Sequence, residues 1–476
     1  MKDFSLLPRF VIVLFCLLVA PYGSGEVWSW RNGGTGIFED TLLPLDWNRE
    51  GAVAWKTELA EGNGCPILVG DRLFVAEEPT ALVCIDSKTG ELLWRRDNGL
   101  LNLLGLNEEE IAAAEATIAE SKRIDREIDR VWYLLERIDR LKLPKEERDK
   151  RYGEKLQEYF ALGAEKKKLS AENEYGSVVM PATHPSNGYA SYTPVSDGER
   201  VYACFGMGAV VAYDLEGKRL WHTMLDDAPG ILGGSISPLL VEGKLIASVS
   251  DYVALDPATG KELWRVESKE HFGTPVVFEV EGLSFLFTSR GDAIRVSDGK
   301  KFASDLITSE DRIPSFFNAP TRDEDSLYFV RGNHGLDGTV YRFRIPDSLT
   351  EFEENGLELV WEKAIKKTRY YSSPLVHDGV LYIMDDNNRL NGLDSASGEA
   401  LYVEKLIGFK GVAYASVSVV GDRIYVGSEN GQVALIEPGR SFELIGTTET
   451  DAYRSTPIFA GDRVFLRTAE DLRAIR

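Results

Sequence analysis

Aromatic and cationic side chains recur at one place in a phrase that this sequence repeats. Each aromatic residue stands three positions before the proline or valine that opens a strand-like run, and arginines lie beside some of them. Rings and guanidinium groups around an opening could hold a sugar, a flat ligand or a peptide. The candidate binding residues are Phe272, Phe317, Arg369, Tyr371, Tyr414 and Arg454. The simpler interpretation is architectural, with the rings closing a channel and packing between repeats.

Two oxygen-rich turns could bind a hard cation. They span residues 332–338 and 385–388, and the second reads Asp-Asp-Asn-Asn. Calcium needs six to eight oxygen ligands in a fixed geometry, whereas consecutive Asp and Asn residues more often hydrogen-bond the backbone of their own turn. We therefore predict no metal-binding residue and keep calcium as the less favoured alternative.

The residue types that usually carry catalysis are scattered. No Ser/His/Asp order, phosphate loop or paired-carboxylate motif stands out, and the five histidines show no metal-ligand spacing. Beyond the N-terminal segment the cysteines are Cys65, Cys84 and Cys204, an odd number, so at least one is unpaired. We expect buried apolar thiols and predict no catalytic residue, so the chain is more simply interpreted as a non-enzyme.

The repeated phrase itself predicts the elements that position these residues. It reads small residue, Pro, apolar run, turn, strand, then Asp, a Thr-Gly turn and Trp; the clearest copy runs from Ser237 to Trp264. A period of about 40 residues with four short strands is typical of a β-propeller blade. Eight copies begin their first strand at Pro66, Pro194, Pro238, Pro275, Pro320, Pro374, Val417 and Pro457.

The eighth copy ends after its third strand. Residues 53–57 have the tryptophan ending of a fourth strand but no blade before them. We predict that this strand pairs with copy eight, which would remove an exposed sheet edge. The fold class is therefore all-β: an eight-bladed β-propeller over residues 26–476, closed by an N-terminal strand.

The aromatic residue that ends each copy should cover the gap to the next blade. The clear cases are Trp94, Trp221 and Trp264, and the later copies match the repeated phrase less well. Their expected equivalents are Phe302, Trp361, Tyr402 and Phe442.

A long insertion, residues 97–187, separates blades 1 and 2. Asn107 and Glu110 have the spacing of a capping box, and Ile124, Ile128, Val131, Leu135 and Ile138 form a heptad-like seam. Pro144 marks the break to a second helix. We predict an antiparallel helical hairpin rising beside the funnel mouth. The hairpin is either simply exposed to solvent or a docking site for a partner protein.

The N-terminus and the charge bear on location and partners. Residues 1–25 have basic residues before an apolar run and small residues near its end, as in a secretory signal peptide. The formal net charge of −22 argues against nucleic acid as a partner. We therefore expect a periplasmic or secreted, monomeric propeller.

The repeats resemble the pyrroloquinoline-quinone-type (PQQ-like) propeller repeats, A-x-D-x-x-T-G-x-x-x-W. The stretch Trp30-Arg31-Asn32-Gly33-Gly34-Thr35-Gly36 is similar to the opening of secreted bacterial members. The resemblance implies an eight-bladed quinoprotein-like propeller, and one similar group is the propeller lipoprotein of the outer-membrane β-barrel assembly machinery. Quinoprotein dehydrogenases carry an adjacent Cys-Cys pair, which this sequence lacks, and no calcium ligands can be transferred.

Three functions remain open at this stage. The first is a non-enzymatic scaffold that binds an envelope or secreted protein through the funnel face and the hairpin, with no cofactor. The second is a dehydrogenase dependent on PQQ and calcium. The third is a carbohydrate-binding propeller that uses the aromatic residues.

Overall fold

The computed structural model describes residues 26–476 except 40, 42, 43, 45, 142, 185, 186, 227–232, 269, 305, 307–316, 334, 335 and 367. The predicted signal peptide, residues 1–25, and the centre of the 332–338 turn lie outside the described residues.

Short strands are the commonest regular elements of the described chain. In order they are β1 (Ile37–Phe38), β2 (Val53–Glu58), β3 (Ile67–Val69), β4 (Arg72–Glu77), β5 (Ala81–Asp86), β6 (Leu92–Asp97), β7 (Val195–Ser196), β8 (Arg200–Cys204), β9 (Ala209–Asp214), β10 (Arg219–Met224), β11 (Leu239–Val241), β12 (Lys244–Ser248), β13 (Tyr252–Leu255), β14 (Glu262–Val266), β15 (Val276–Val280), β16 (Leu283–Phe287), β17 (Ala293–Arg295), β18 (Lys301–Ala303), β19 (Thr321–Arg322), β20 (Ser326–Asn333), β21 (Leu336–Arg344), β22 (Glu358–Ile365), β23 (Leu375–His377), β24 (Val380–Met384), β25 (Arg389–Asp394), β26 (Ala400–Lys405), β27 (Ser418–Val420), β28 (Arg423–Gly427), β29 (Gln432–Ile436), β30 (Leu444–Glu449), β31 (Ile458–Ala460), β32 (Arg463–Arg467) and β33 (Asp471–Ile475). The helices are α1 (Leu100–Leu103), α2 (Glu108–Arg140), α3 (Lys145–Glu172) and α4 (Leu349–Asn355), with a 3-10 turn at Gly176–Val178.

These strands form eight sheets within the described residues. Sheets 1 to 7 each contain an antiparallel meander of four consecutive strands, from β3–β6 to β27–β30, and β1 adds a parallel fifth strand to sheet 7. Sheet 8 joins β31, β32 and β33 with β2 on its outer edge, in the order the sequence predicts. Meanders of four short strands are the units of a β-propeller.

The tryptophan that ends a repeat contacts the following sheet, as predicted. Its indole N–H donates to a carbonyl oxygen in the last turn of that sheet at 2.9–3.2 Å: Trp55 to Ser87, Trp94 to Leu215, Trp221 to Pro257, Trp264 to Val296 and Trp361 to Ser395. The glycine of each receiving turn has a positive φ and lies under the ring, as at Gly217 under Trp94. These five tryptophans therefore each connect one sheet to the next.

Two of the expected equivalents of tryptophan are wrong. In sheet 1 Trp94 pairs with Cys84, one residue after a bulge. In sheet 4 the residue in the position of Trp94, directly after the bulge, is Ala303 and not Phe302. In sheet 7 it is Gly446 and not Phe442. Other aromatic residues fill the gaps that these small residues leave. Phe352 of α4 packs on Phe302 at a ring distance of 5.0 Å, and Trp47 stacks on Tyr425 at 6.0 Å.

Small side chains precede the innermost strands and connect the sheets near the axis. We call them the inner ring: Cys65, Thr193, Ser237, Thr274, Ala319, Ser373, Ser416 and Thr456. The backbone N–H of one member donates to the side chain of the next, as from Cys65 to Thr193 at 3.1 Å and from Thr193 to Ser237 at 3.0 Å. Thr456 N–H donates to Cys65 Sγ at 3.2 Å, which connects sheet 8 to sheet 1. The repeated small residue therefore serves contacts between sheets.

The N-terminal segment, residues 27–38, lies along the inner edges of the sheets. Val27 bridges to Leu68 of β3, the Trp28 carbonyl accepts from Ser196 N–H, and β1 pairs in parallel with β27. Between these contacts Arg31 is buried, with its Nη2 against the carbonyls of Pro374 and Val417. The segment therefore contacts the innermost strands of several sheets.

The insertion forms the predicted antiparallel hairpin of α2 and α3. The capping box between Asn107 and Glu110 is present, and α2 is about 50 Å long at 1.5 Å per residue. Its apolar seam packs against Tyr159 of α3 in a cluster of its own: Ile124, Ile128, Val131, Leu135 and Tyr159. Among the described residues, no helix combines the length and apolarity that crossing a membrane requires.

Candidate functional site

The four predicted aromatic residues lie side by side on the linkers that enter sheets 4 to 7. Ring centroids are 6.2 Å apart for Phe272 and Phe317, 5.1 Å for Phe317 and Tyr371, and 5.0 Å for Tyr371 and Tyr414. All four are partly exposed. Each ring thus contacts the ring of the neighbouring sheet and still presents surface to solvent. We call this row the aromatic arc.

The two predicted arginines join the arc at its end. The guanidinium of Arg454 lies over the Tyr414 ring, 5.0 Å from its centroid, and pairs with Glu429 at 3.2 Å. Arg369 Nη1 donates to the Tyr371 hydroxyl at 3.0 Å. Burial raises the pKa of Tyr414 to about 12, so its hydroxyl is neutral at physiological pH. The arc therefore combines aromatic faces, neutral hydroxyls and two cations.

The segment that follows the hairpin also lies near the arc. His184, after α3, packs edge-on against Trp132 of α2 at 3.9 Å between ring centroids. Burial, and then the positive charge of Arg454, lower the pKa of His184 to about 4. Arg454 thus lies within electrostatic reach of His184. The segment that returns from the hairpin therefore lies near the Arg454 end of the arc.

A half-buried carboxylate holds the chain that returns from the hairpin. Glu78, in the turn between β4 and β5, accepts the backbone N–H groups of Tyr189 and Ala190 at 2.7–3.0 Å. Burial raises the pKa of Glu78 to about 7. Neither Glu78 nor His184 belongs to the repeat motif, and the sequence offers no local signal that would have selected them.

In the oxygen-rich turn at 385–388, the Asp385 side chain binds groups of the same turn and of the strand that follows it. Asp385 accepts the backbone N–H groups of Asn387 and Arg389 and pairs with the Arg389 guanidinium at 2.6 Å. Among the described residues, no three His, Cys, Asp or Glu side chains converge as metal ligands would. The Asp385 side chain is therefore engaged with the backbone of its own turn and with Arg389.

The three described cysteines are buried free thiols, as the sequence predicts. Burial raises the pKa of the Cys84 and Cys204 thiols to about 12, so they are protonated at neutral pH. A protonated buried thiol is a poor nucleophile. These cysteines act as core side chains.

Comparison with known proteins gives relatives by sequence and by fold. "Outer membrane protein assembly factor BamB" of Yersinia pestis is 23% identical over 358 residues, which cover 62% of this chain and 88% of that protein. The protein of the same name from Moranella endobia is 20% identical, covering 57% of this chain and 68% of the relative. The quinohemoprotein alcohol dehydrogenase of Comamonas testosteroni superposes with a TM-score of 0.55 at 10% identity, over 94% of this chain and 80% of that one. The last likeness shows the propeller fold alone.

A family profile covers the repeats themselves. The family described as outer membrane protein assembly factor BamB matches residues 45–141, 156–348 and 249–472. These ranges include strands of all eight sheets. The chain therefore belongs to the outer membrane protein assembly factor BamB family.

Proposed function

We propose that this chain is a non-enzymatic scaffold outside the cytoplasm that binds an envelope protein through the funnel mouth and the helical hairpin. The observation that carries the proposal is the row of partly exposed rings in the arc, with the Arg454 guanidinium over Tyr414 at its end. Partly exposed aromatic rings and arginines are the side chains that most often dominate protein interfaces. The names of the relatives, which describe assembly factors of the outer membrane, point the same way.

The proposal includes a closed eight-bladed ring as the platform. Apolar clusters join neighbouring sheets, and one cluster contains Leu435 of sheet 7, Phe465 of sheet 8 and Val75 of sheet 1. We also propose that residues 1–25 are removed as a signal peptide. The mature propeller is then a monomer that is either periplasmic or secreted. These features would leave the mouth and the hairpin facing a partner in the envelope.

Site-specific photo-crosslinking in the native host tests the partner and its site together. A photoreactive residue at Tyr371, Tyr414 or Phe160 should give one shared envelope protein, identified by mass spectrometry. The same residue at Leu263 or Val403, exposed on outer strands, serves as the matched control. Equal crosslinking at outer and mouth positions, or none at the mouth, would refute the proposed site.

The two alternatives have their own tests on the purified chain. A dehydrogenase dependent on PQQ and calcium should show a higher Tm with both ligands, since a ligand at 100 times its Kd adds about 2.7 kcal/mol. A carbohydrate-binding propeller should bind envelope glycans, and Tyr371→Ala with Tyr414→Ala should abolish that binding. Either result would displace the scaffold proposal.

A further inference from the structure

One aliphatic side chain is almost fully exposed on a turn at the rim of the funnel mouth. Ile407, in the linker from sheet 6 to sheet 7, is 93% exposed. Leu406 and Phe409 of the same turn are buried in the apolar cluster that joins these two sheets. Single exposed apolar residues are common on protein surfaces, but this one is fixed between two residues of the core.

Hydrogen bonds from both sheets hold the turn and the linker that follows it. The backbone N–H of Leu406 donates to the Asn388 carbonyl at 2.9 Å, and Asn388 Nδ2 donates to the Gly411 carbonyl at 2.8 Å. Val412 N–H donates to Glu429 Oε1 at 3.1 Å, and Glu429 N–H donates to the Val412 carbonyl at 2.8 Å. The backbone beneath the exposed side chain is therefore already ordered and has little conformational entropy to lose on binding.

The charges beside Ile407 are mainly basic. Lys405, two residues before it, and Lys410, three residues after it, are both exposed. Within the described part of the chain, neither ammonium group forms an ion pair. Residues 403–411 contain one acidic residue, Glu404, although the whole chain has a formal net charge of −22. A locally basic rim favours a partner that presents carboxylates there, because complementary charges steer two proteins together and fix their register.

The linker that carries Ile407 also carries the last ring of the arc. Tyr414 follows seven residues later and packs on Tyr371 at 5.0 Å between ring centroids. Seven residues span at most about 25 Å, even when fully extended. A standard interface buries about 800 Å² per partner, which is a patch roughly 30 Å across. A partner that covers the Tyr414 end of the arc can therefore also cover Ile407.

We propose that Ile407 is an anchor of the partner interface, and that the partner is a folded envelope protein with an apolar pocket for this side chain. Carboxylates at the border of that pocket would face Lys405 and Lys410. The inference rests on the proposed function, because it extends the partner surface from the arc to the rim. A few anchor residues that enter desolvated pockets supply most of the binding energy of an interface. A second copy of this chain is the competing occupant.

Photo-crosslinking in the native host separates this inference from the proposed function. A photoreactive residue at Ile407 should capture the same envelope protein as one at Tyr414. Capture at Tyr414 without capture at Ile407 would overturn the anchor and leave the proposed function standing. Capture of no protein at either position would overturn both. Capture of a second copy of this chain alone at Ile407 would overturn the assignment of the partner.

The protein captured at Tyr414, once purified, is the probe for a binding measurement on the purified chain. Ile407→Asp should raise the Kd about 30-fold or more, as loss of a main anchor does, and Ile407→Val should stay within about fivefold. Leu263→Asp, at an exposed position on the outer strand of sheet 3, is the matched control and should leave the Kd unchanged. Because Ile407 is exposed, its variants should keep the Tm of the parent chain. An unchanged Kd for Ile407→Asp would overturn the anchor.

The two lysines are tested by the salt dependence of the same binding. The Kd of the parent chain should rise with sodium chloride, because screening weakens the attraction between Lys405, Lys410 and the carboxylates of the partner. The double variant Lys405→Gln with Lys410→Gln should bind more weakly at low salt and show a smaller rise. The same salt dependence in both chains would overturn the acidic border of the pocket.

Discussion

In the five repeats that end in tryptophan, this side chain packs on the sheet that follows. Its indole N–H is satisfied by a turn carbonyl, as at 3.0 Å between Trp94 and Leu215, so a large ring can be buried without an orphaned donor. The glycine beneath it provides both a positive φ and the absence of a Cβ. Ring and glycine therefore form one unit that spans two repeats.

Substitution of Gly217 tests this unit. A Cβ on Gly217 would lie 2.7 Å from the Trp94 ring, and its φ is +83°. Gly217→Ala should lower the free energy of unfolding by roughly 2–4 kcal/mol, as backbone strain adds to overpacking. Gly243→Ala is the matched control, because Gly243 has a φ of +68° with no atom within 4 Å of the added Cβ. Gly243→Ala should lower the free energy of unfolding by about 1–2 kcal/mol. Urea unfolding measures both variants, and equal losses of stability would refute a steric role for the Trp94 ring.

Glu78 gives the stability a pH dependence of predictable sign. Its pKa is about 7 in the folded protein against an ordinary value of 4.5, so the folded state binds the extra proton between these values. The stability contributed by Glu78 is therefore largest below pH 4.5 and falls as the pH rises to about 7. Between pH 4.5 and pH 8, the free energy of unfolding of Glu78→Gln should rise by roughly 2–3 kcal/mol relative to that of the wild-type chain. Urea unfolding across this range measures the difference, and a constant offset would contradict the prediction.

At the scale of elements, the two helices of the hairpin pack together and share an ion pair with one buried partner. Lys166 on α3 has a fully buried side chain and binds Asp125 on α2, which is 41% exposed. Lys166 Nζ also reaches the Pro181 carbonyl at 3.4 Å. Because the two partners differ in exposure, removing Asp125 and removing Lys166 should change the free energy of unfolding by different amounts.

This asymmetry predicts different costs for the two partners. Asp125→Ala leaves the buried ammonium without its nearest carboxylate and should destabilise the hairpin by roughly 2–4 kcal/mol. Lys166→Met removes the buried charge, keeps an apolar side chain of similar length and should cost less. Helical circular dichroism during thermal unfolding follows the hairpin, since most helical residues lie in α2 and α3. A larger loss for Lys166→Met would contradict the assignment.

The sequence predicted elements better than it predicted contacts between them. Strand order and the hairpin followed from local patterns at Trp94, Asn107 and Val131. Phe302 was misassigned because the bulge before the last strand shifts the register by one residue, and only strand pairing shows this. Arg31 was missed as a buried side chain because its carbonyl partners lie 343 and 386 residues away in the sequence.

At the scale of the whole molecule, the two chain ends share one sheet. Trp55 pairs with Ala474 and Thr57 with Leu472, and the Trp55 indole crosses to Ser87 of sheet 1 at 3.0 Å. If this pairing closes the ring, β2 should contribute far more to stability than its six residues suggest. Without it, β33 would present an open edge, which promotes association.

Two truncated chains isolate this strand. Residues 52–476 keep β2 and lack the N-terminal segment, whereas residues 59–476 lack both, so their difference reports β2 alone. We expect residues 59–476 to unfold at a lower urea concentration and to self-associate in sedimentation experiments, because an edge strand and the Trp55 contact are lost together. A synthetic peptide of residues 50–60 added in trans should restore both properties. If both chains are monomeric and unfold at the same urea concentration, β2 does not close the propeller.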